Sequence, residues 1–184
     1  TLFPLDKLAK EFERDSLTIT LLDKDELFSN VPRPSDSDYR VKRPTEKDFA
    51  ECCNEFWWVC TYVAKGLARK EIIYAKDILE KPVRDMFLKI IEWHIGIETD
   101  FTASFGKSGK NMQAHLSPEL YERILSTYPD AEAEEIWKSL IKMTDIFRDL
   151  AKKIAAELGL KYNLDEAHNV NEYLKWVYSL KKEK

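Results

Sequence analysis

From Thr45 to Lys182 the chain repeats apolar residues at helical spacing, with few residues that stop a helix. Only five glycines occur in 184 residues, and three of the seven prolines fall between Ser29 and Pro44. A chain with this pattern has little choice but to form helices and bury their apolar stripes against one another. "TEKDF" reads as a helix start, with Thr45 capping and Asp48 three residues on, as in a capping box. That helix is expected to reach about Leu67. A second spans about 70–80, and Pro82 opens or kinks a third to about Ile97. Residues 99–111, with two glycines, read as a loop. Ser117 caps a helix with proline at its first position, and residues 130–159 form a long amphipathic helix closed by Gly159. A last helix covers 165–182. The expected architecture is an up-and-down helical bundle.

The first forty residues have a different grammar. "TLF" suggests a strand end, 5–14 a short helix, and "SLTITLL" (16–22) a strand by its alternation and β-branching. The Pro-, Ser- and Asp-rich segment 29–44 is a linker, with a short strand expected near Tyr39–Val41. The division is therefore 1–40, an α/β remnant and linker, and 41–184, the helical domain. The chain opens on Thr rather than Met, which suggests a piece lacking its N-terminal part.

Charge narrows the function classes. The net charge is −4, so no basic surplus exists for nucleic acid as a primary partner. No apolar run approaches the roughly 18 residues of a membrane span. No basic segment followed by an apolar one marks a signal peptide, so the reading is cytoplasmic. Cys52, Cys53 and Cys60 lie on one helix, an odd number that makes no disulfide framework. His94, His115 and His168 stand far from them in sequence, so no metal site is assigned and the thiols read as small core residues.

The helix over 45–67 has two faces. At 100° per residue, Phe49, Cys52, Cys53, Phe56, Cys60, Val63, Ala64 and Leu67 form a core stripe. Glu51, Asn54, Trp58, Tyr62, Lys65 and Arg69 fall within roughly 80° on the other side, with Glu55 beside them. Acid, aromatic and base together suit a cleft for a cationic, hydroxyl-rich ligand or a nucleotide. The same pattern also fits a helix packed on both sides, with Trp58 and Tyr62 against a second layer. Elsewhere, "GKSGK" (106–110) lacks the phosphate-loop spacing and reads as an exposed basic loop. His94 and Glu98 stand one turn apart as a helix-end cluster. Trp137 and Trp176 sit among apolar neighbours and read as core.

The stretch "KRPTEKDFAECCNEFWWVCTYVAKGLARKEIIYAKDIL" (42–79) resembles the helical domain of the aminoglycoside 6-adenylyltransferases, the streptomycin-modifying nucleotidyltransferases. "LTITLLDKDELF" before it resembles the same family, as do "VRDMFLKIIEWHIGIETDFTASFGKSGKNMQAHLSPELYERILSTY", "IWKSLIKMTDIFRDLAKKIAAELGLKYN" and "NVNEYLKWVYSL" after it. The resemblance covers essentially the whole chain, in order.

It implies transfer of AMP from ATP, with Mg2+, to a hydroxyl of an aminoglycoside, and a fold in which a nucleotidyltransferase domain precedes the bundle. That domain's Gly-Ser motif and paired metal-binding aspartates have no counterpart here, so the chain alone is expected to be inactive. Within the resemblance, Glu51 and Glu55 would meet the cationic drug, one of them taking a proton. Asn54, Trp58 and Tyr62 would contact substrate, the two aromatics stacking on nucleotide or sugar. Glu98 and Asp100 would meet guanidinium groups. Lys65 and Arg69 would neutralise triphosphate, and Lys107 and Lys110 would touch a phosphate or close the cleft. The alternatives are a non-catalytic binding or homodimerising module, and a nucleotidyltransferase acting on another acceptor.

Overall fold

The computed structural model describes Pro4, Lys7 and residues 15–26 and 33–180. It divides into two compact units, Thr1–Arg40 and Val41–Lys184.

The described residues of the second unit form a bundle of six α-helices: α1 (Glu46–Ala68), α2 (Ile72–Ile78), α3 (Arg84–Glu98), α4 (Pro118–Leu125), α5 (Ala133–Leu158) and α6 (Leu164–Leu180). Helix α1 is its centre, packing against α2, α3, α5 and α6. This explains why Trp57 and Val59 are buried as well as the expected stripe. Phe56 stacks face to face on Phe147 of α5, 3.7 Å between centroids. The Trp57 indole N–H donates to the Tyr162 hydroxyl at 3.2 Å. A large buried aromatic thereby keeps a partner for its one polar atom.

The local signals act as the sequence suggests. The Thr45 hydroxyl accepts from the Asp48 N–H at 3.1 Å, and the Asp48 carboxylate accepts from the Thr45 N–H at 3.0 Å, a closed capping box. Ser117 caps α4, with Pro118 at its first position. Gly159 ends α5 in the left-handed region at φ 67°, where a side chain would be strained. Pro82 neither opens nor breaks a helix. It sits in a π-helical turn, Leu79–Val83, which joins α2 to α3 without a reversing loop. The wider i→i+5 turn accommodates a residue that has no N–H to donate.

Three expectations are corrected. Residues 16–22 form no strand, and among the described residues there is none. The Asp15 carboxylate accepts from the Leu17 N–H, and Asp38 from the Ser16 N–H, so side chains take the donors a ladder would use. The short strand near Tyr39 is instead a 3-10 turn, Ser37–Tyr39. Trp176 is exposed at 57% rather than core. Leu174 and Val177 point inward on α6, and Trp176 falls on the opposite side of that helix, tilted against Tyr173 at 5.9 Å. The strand end at 1–3, most of the helix at 5–14, and residues 181–182 lie outside the described residues.

Candidate functional site

Helices α1 and α3 enclose a groove of about 540 Å3. Its α1 wall carries Asp48, Glu51, Cys52 and Glu55, positions that recur on one side of a helix. Its α3 wall carries Met86, Lys89 and Trp93, again at helical spacing. Lys42, Arg43 and Pro44, leading into α1, close one end. The groove thus sets three carboxylates against three cations over an apolar base.

Each group has a defined environment. The Thr45 hydroxyl and N–H, bonded to Asp48, hold its carboxyl below the ordinary value, with Lys89 and Lys47 adding to the effect. Glu51 is paired with Lys47, at 3.7 Å and largely exposed, a contact that a ligand can displace at little cost. Lys89 lies 3.1 Å from Glu92 and 5.5 Å from the Trp93 ring centroid. The Cys52 thiol donates to the Met86 carbonyl at 3.6 Å, and burial pushes it up to about 12, so it is packing material and no nucleophile.

The rest of the polar α1 face turns away from this groove. The Asn54 amide donates to Glu166 of α6 at 2.8 Å. Trp58 is 58% exposed, so no second layer among the described residues covers it. Its indole N–H donates to the Tyr62 hydroxyl at 2.6 Å, and Lys65 lies 4.9 Å from the Tyr62 ring centroid. Trp58, Tyr62 and Lys65 therefore form one connected strip along α1. Arg69 ends that helix as its C-terminal cap residue and is exposed.

Glu98 and Asp100 are not among the residues of the groove. Glu98 accepts from Lys153 of α5 at 2.5 Å, which holds its carboxyl below the ordinary value. Asp100 is exposed in the turn after α3, at φ 48°. Lys107 and Lys110 are exposed around a 3-10 turn, Lys107–Gly109, that packs on α3. Sequence reasoning missed Lys89 and Met86 as groove residues, and read Asp48 only as a cap. Lys89 and Trp93 share a face at i, i+4 spacing, a signal visible only once α3 is known to lie beside Glu51 and Glu55.

Over residues 1–177 the chain matches the family described as streptomycin adenylyltransferase. It is 41% identical over 164 residues to an aminoglycoside 6-adenylyltransferase of Campylobacter jejuni, a match covering 89% of this chain and 57% of that protein. It is 39% identical over 179 residues to one from Bacillus subtilis strain 168, covering 97% of this chain and 63% of that protein. The crystal structure of an aminoglycoside 6-adenyltransferase from Bacillus subtilis superposes with a TM-score of 0.70 at 34% identity, covering 96% of this chain and 65% of that one. The chain thus spans between 57% and 65% of the length of these relatives.

Proposed function

The chain belongs to the streptomycin adenylyltransferase family, and from that premise we propose that its helical unit forms the substrate-side wall of an enzyme moving AMP from ATP onto a streptomycin-like aminoglycoside. The observation that carries this reading is the groove in which Asp48, Glu51 and Glu55 face Lys89 and Trp93. Guanidinium and ammonium groups are best met by carboxylates, which accept two parallel hydrogen bonds from a guanidinium. An indole face beside them receives the sugar or cation.

In this reading the acceptor hydroxyl attacks the α-phosphorus of ATP and pyrophosphate leaves. The hydroxyl proton passes to Glu51 or Glu55. Asn54 orients substrate, and Trp58 and Tyr62 offer flat surfaces to a base or sugar. Lys65 and Arg69, with Lys107 and Lys110 from their loop, oppose the triphosphate charge. Glu98 and Asp100, outside the groove, meet a second guanidinium in this reading, Glu98 by exchanging its Lys153 partner. Magnesium supplies charge neutralisation in such transfers. Among the described residues, no group of three or more His, Cys, Asp or Glu side chains is placed to hold a metal. No step through the ion is therefore assigned to this chain. The transfer needs the portion of the family's length that this chain does not span, so this chain alone binds and does not transfer. The compartment this reading requires is the cytoplasm, where ATP is plentiful.

Titration calorimetry of this chain with streptomycin, and separately with Mg-ATP, tests the proposal. Streptomycin is expected to bind, and the Glu51→Gln/Glu55→Gln pair to weaken it tenfold or more, about 1.4 kcal/mol. Unchanged affinity in the double variant removes both acids from the site. Absence of streptomycin binding removes the groove from the proposed function.

A further inference from the structure

A second groove of about 540 Å3 runs between α5 and α6. It shares no residue with the one between α1 and α3. Its size is that of a site for a small organic molecule. The base is apolar, with Trp137 buried beneath it at 2% exposed. Trp137 and Tyr178 meet edge to face, 5.4 Å between centroids, and Ile141 extends the same surface one turn along α5. The Tyr178 hydroxyl donates to Glu134 at 2.6 Å, which fixes the phenol ring and directs its polar end to that carboxylate.

The rim is cationic, although the chain as a whole is acidic. Lys138, Lys142, Arg148 and Lys175 line it, against the two carboxylates of Glu134 and Asp145. Glu134 accepts from Tyr178, and Asp145 accepts from Arg148 at 2.9 Å, so both acids are engaged within the protein. The lysines hold lesser partners. Lys138 and Lys175 each reach an acid three residues away on their own helix, at 2.7 and 2.8 Å. Lys142 reaches the Ser126 carbonyl, at 3.3 Å. Their side chains are more than half exposed in the two ion pairs, so these contacts are cheap to exchange for a ligand anion.

We infer that the α5–α6 groove is a binding site for an aromatic molecule bearing an acidic group, its ring against Tyr178 and Ile141 and its anion among Lys138, Lys142 and Lys175. A ring packs against the phenol and the isoleucine, and lysines stand on both walls to meet its charge. The inference is independent of the reading given to the α1–α3 groove.

The probe is 1-anilinonaphthalene-8-sulfonate, followed by fluorescence against this chain. One saturable equivalent is expected, weakened by salt. Lys138→Glu/Lys175→Glu should lower its affinity at least tenfold, and Lys142→Glu should do so by itself to a smaller extent. All three lysines are exposed, so circular dichroism should show the helical content unchanged. Glu51→Gln/Glu55→Gln should leave the affinity as it is, and so should Leu21→Lys/Leu22→Lys, which alters exposed apolar residues elsewhere. Affinity unchanged by the lysine reversals, or lost in the Leu21/Leu22 variant, overturns the inference. So does binding of several equivalents without saturation.

Discussion

Arg84 enters the interior with its charge answered on several sides. Its side chain is 5% exposed and faces Glu80 at 3.4 Å. One guanidinium nitrogen donates to the Thr127 hydroxyl at 2.6 Å and another to the Thr127 carbonyl at 2.7 Å. The Tyr128 ring centroid lies 3.8 Å from the same group. The Thr127 carbonyl also accepts from the Ser139 hydroxyl, so one arginine ties α3, the segment after α4, and α5. Arg84→Met should cost about 3 kcal/mol, since it removes two buried charge-assisted hydrogen bonds to Thr127 and the partner of Glu80. Arg84→Lys should cost less, about 1–2 kcal/mol, because a single ammonium cannot reproduce the planar fork. The shift of the urea midpoint measures both.

His94 gives a pH prediction at the same scale. Burial holds its pKa below the ordinary 6.5, Lys153 acts in the same direction, and Glu98 at 3.9 Å opposes them. The unfolded chain therefore takes up a proton before the folded one does. Stability present above pH 6.5 is lost as the pH falls from there towards the folded value. Urea midpoints between pH 8 and 5.5 should decline in the native sequence and decline less in His94→Gln. Glu98, held low by Lys153, acts in a separate window below its ordinary 4.5.

At the scale of the element, Gly66 decides how close α2 comes to α1. It lies within α1 and is buried. A Cβ added there would stand 2.9 Å from the Tyr74 ring, 3.1 Å from the Ala75 Cβ and 3.3 Å from the Ala75 Cα. Tyr74 is half-exposed and can move, whereas the Ala75 backbone cannot. Alanine favours a helix interior by about 1 kcal/mol over glycine. Overpacking costs about 1–3 kcal/mol. Gly66→Ala should therefore lower thermal stability, the reverse of what helix propensity alone suggests.

Helix starts and stops were legible because their chemistry is local: Thr45 with Asp48, Ser117 with Pro118, and Gly159. Residues 16–22 were not, because alternation makes a strand only where a neighbouring strand takes its backbone groups. Leu21, at 92% exposed, shows an apolar side chain without such a neighbour among the described residues of its own unit. Trp176 was misplaced for a related reason: an apolar neighbourhood in sequence does not fix which side of a helix a residue occupies. The candidate site was legible by half. Glu51 and Glu55 could be set on one face from the sequence. Lys89 and Trp93, across the groove, depend on which helix lies beside α1, and that is a property of the packed bundle.

At the scale of the molecule, Cys52, Cys53 and Cys60 act as reporters. All three lie on α1, and all are buried. Burial raises each thiol well above its ordinary value, so the thiolate is scarce in the folded state near neutral pH. Because α1 contacts α2, α3, α5 and α6, exposing its core face means dismantling most of the bundle rather than fraying an end. Labelling with a thiol-reactive disulfide should thus be at least a thousandfold slower than for a free cysteine. Its dependence on urea should follow the loss of helix measured by circular dichroism. Arg84→Met should accelerate all three thiols together. Rapid labelling of Cys52 by itself would instead place a local opening at the α1–α3 groove, because Cys52 is the thiol that lines it. The same reagent then separates motion of the site from unfolding of the whole. If streptomycin occupies that groove, it should slow any such local labelling of Cys52 and leave a Cys60 reaction limited by local opening elsewhere unchanged.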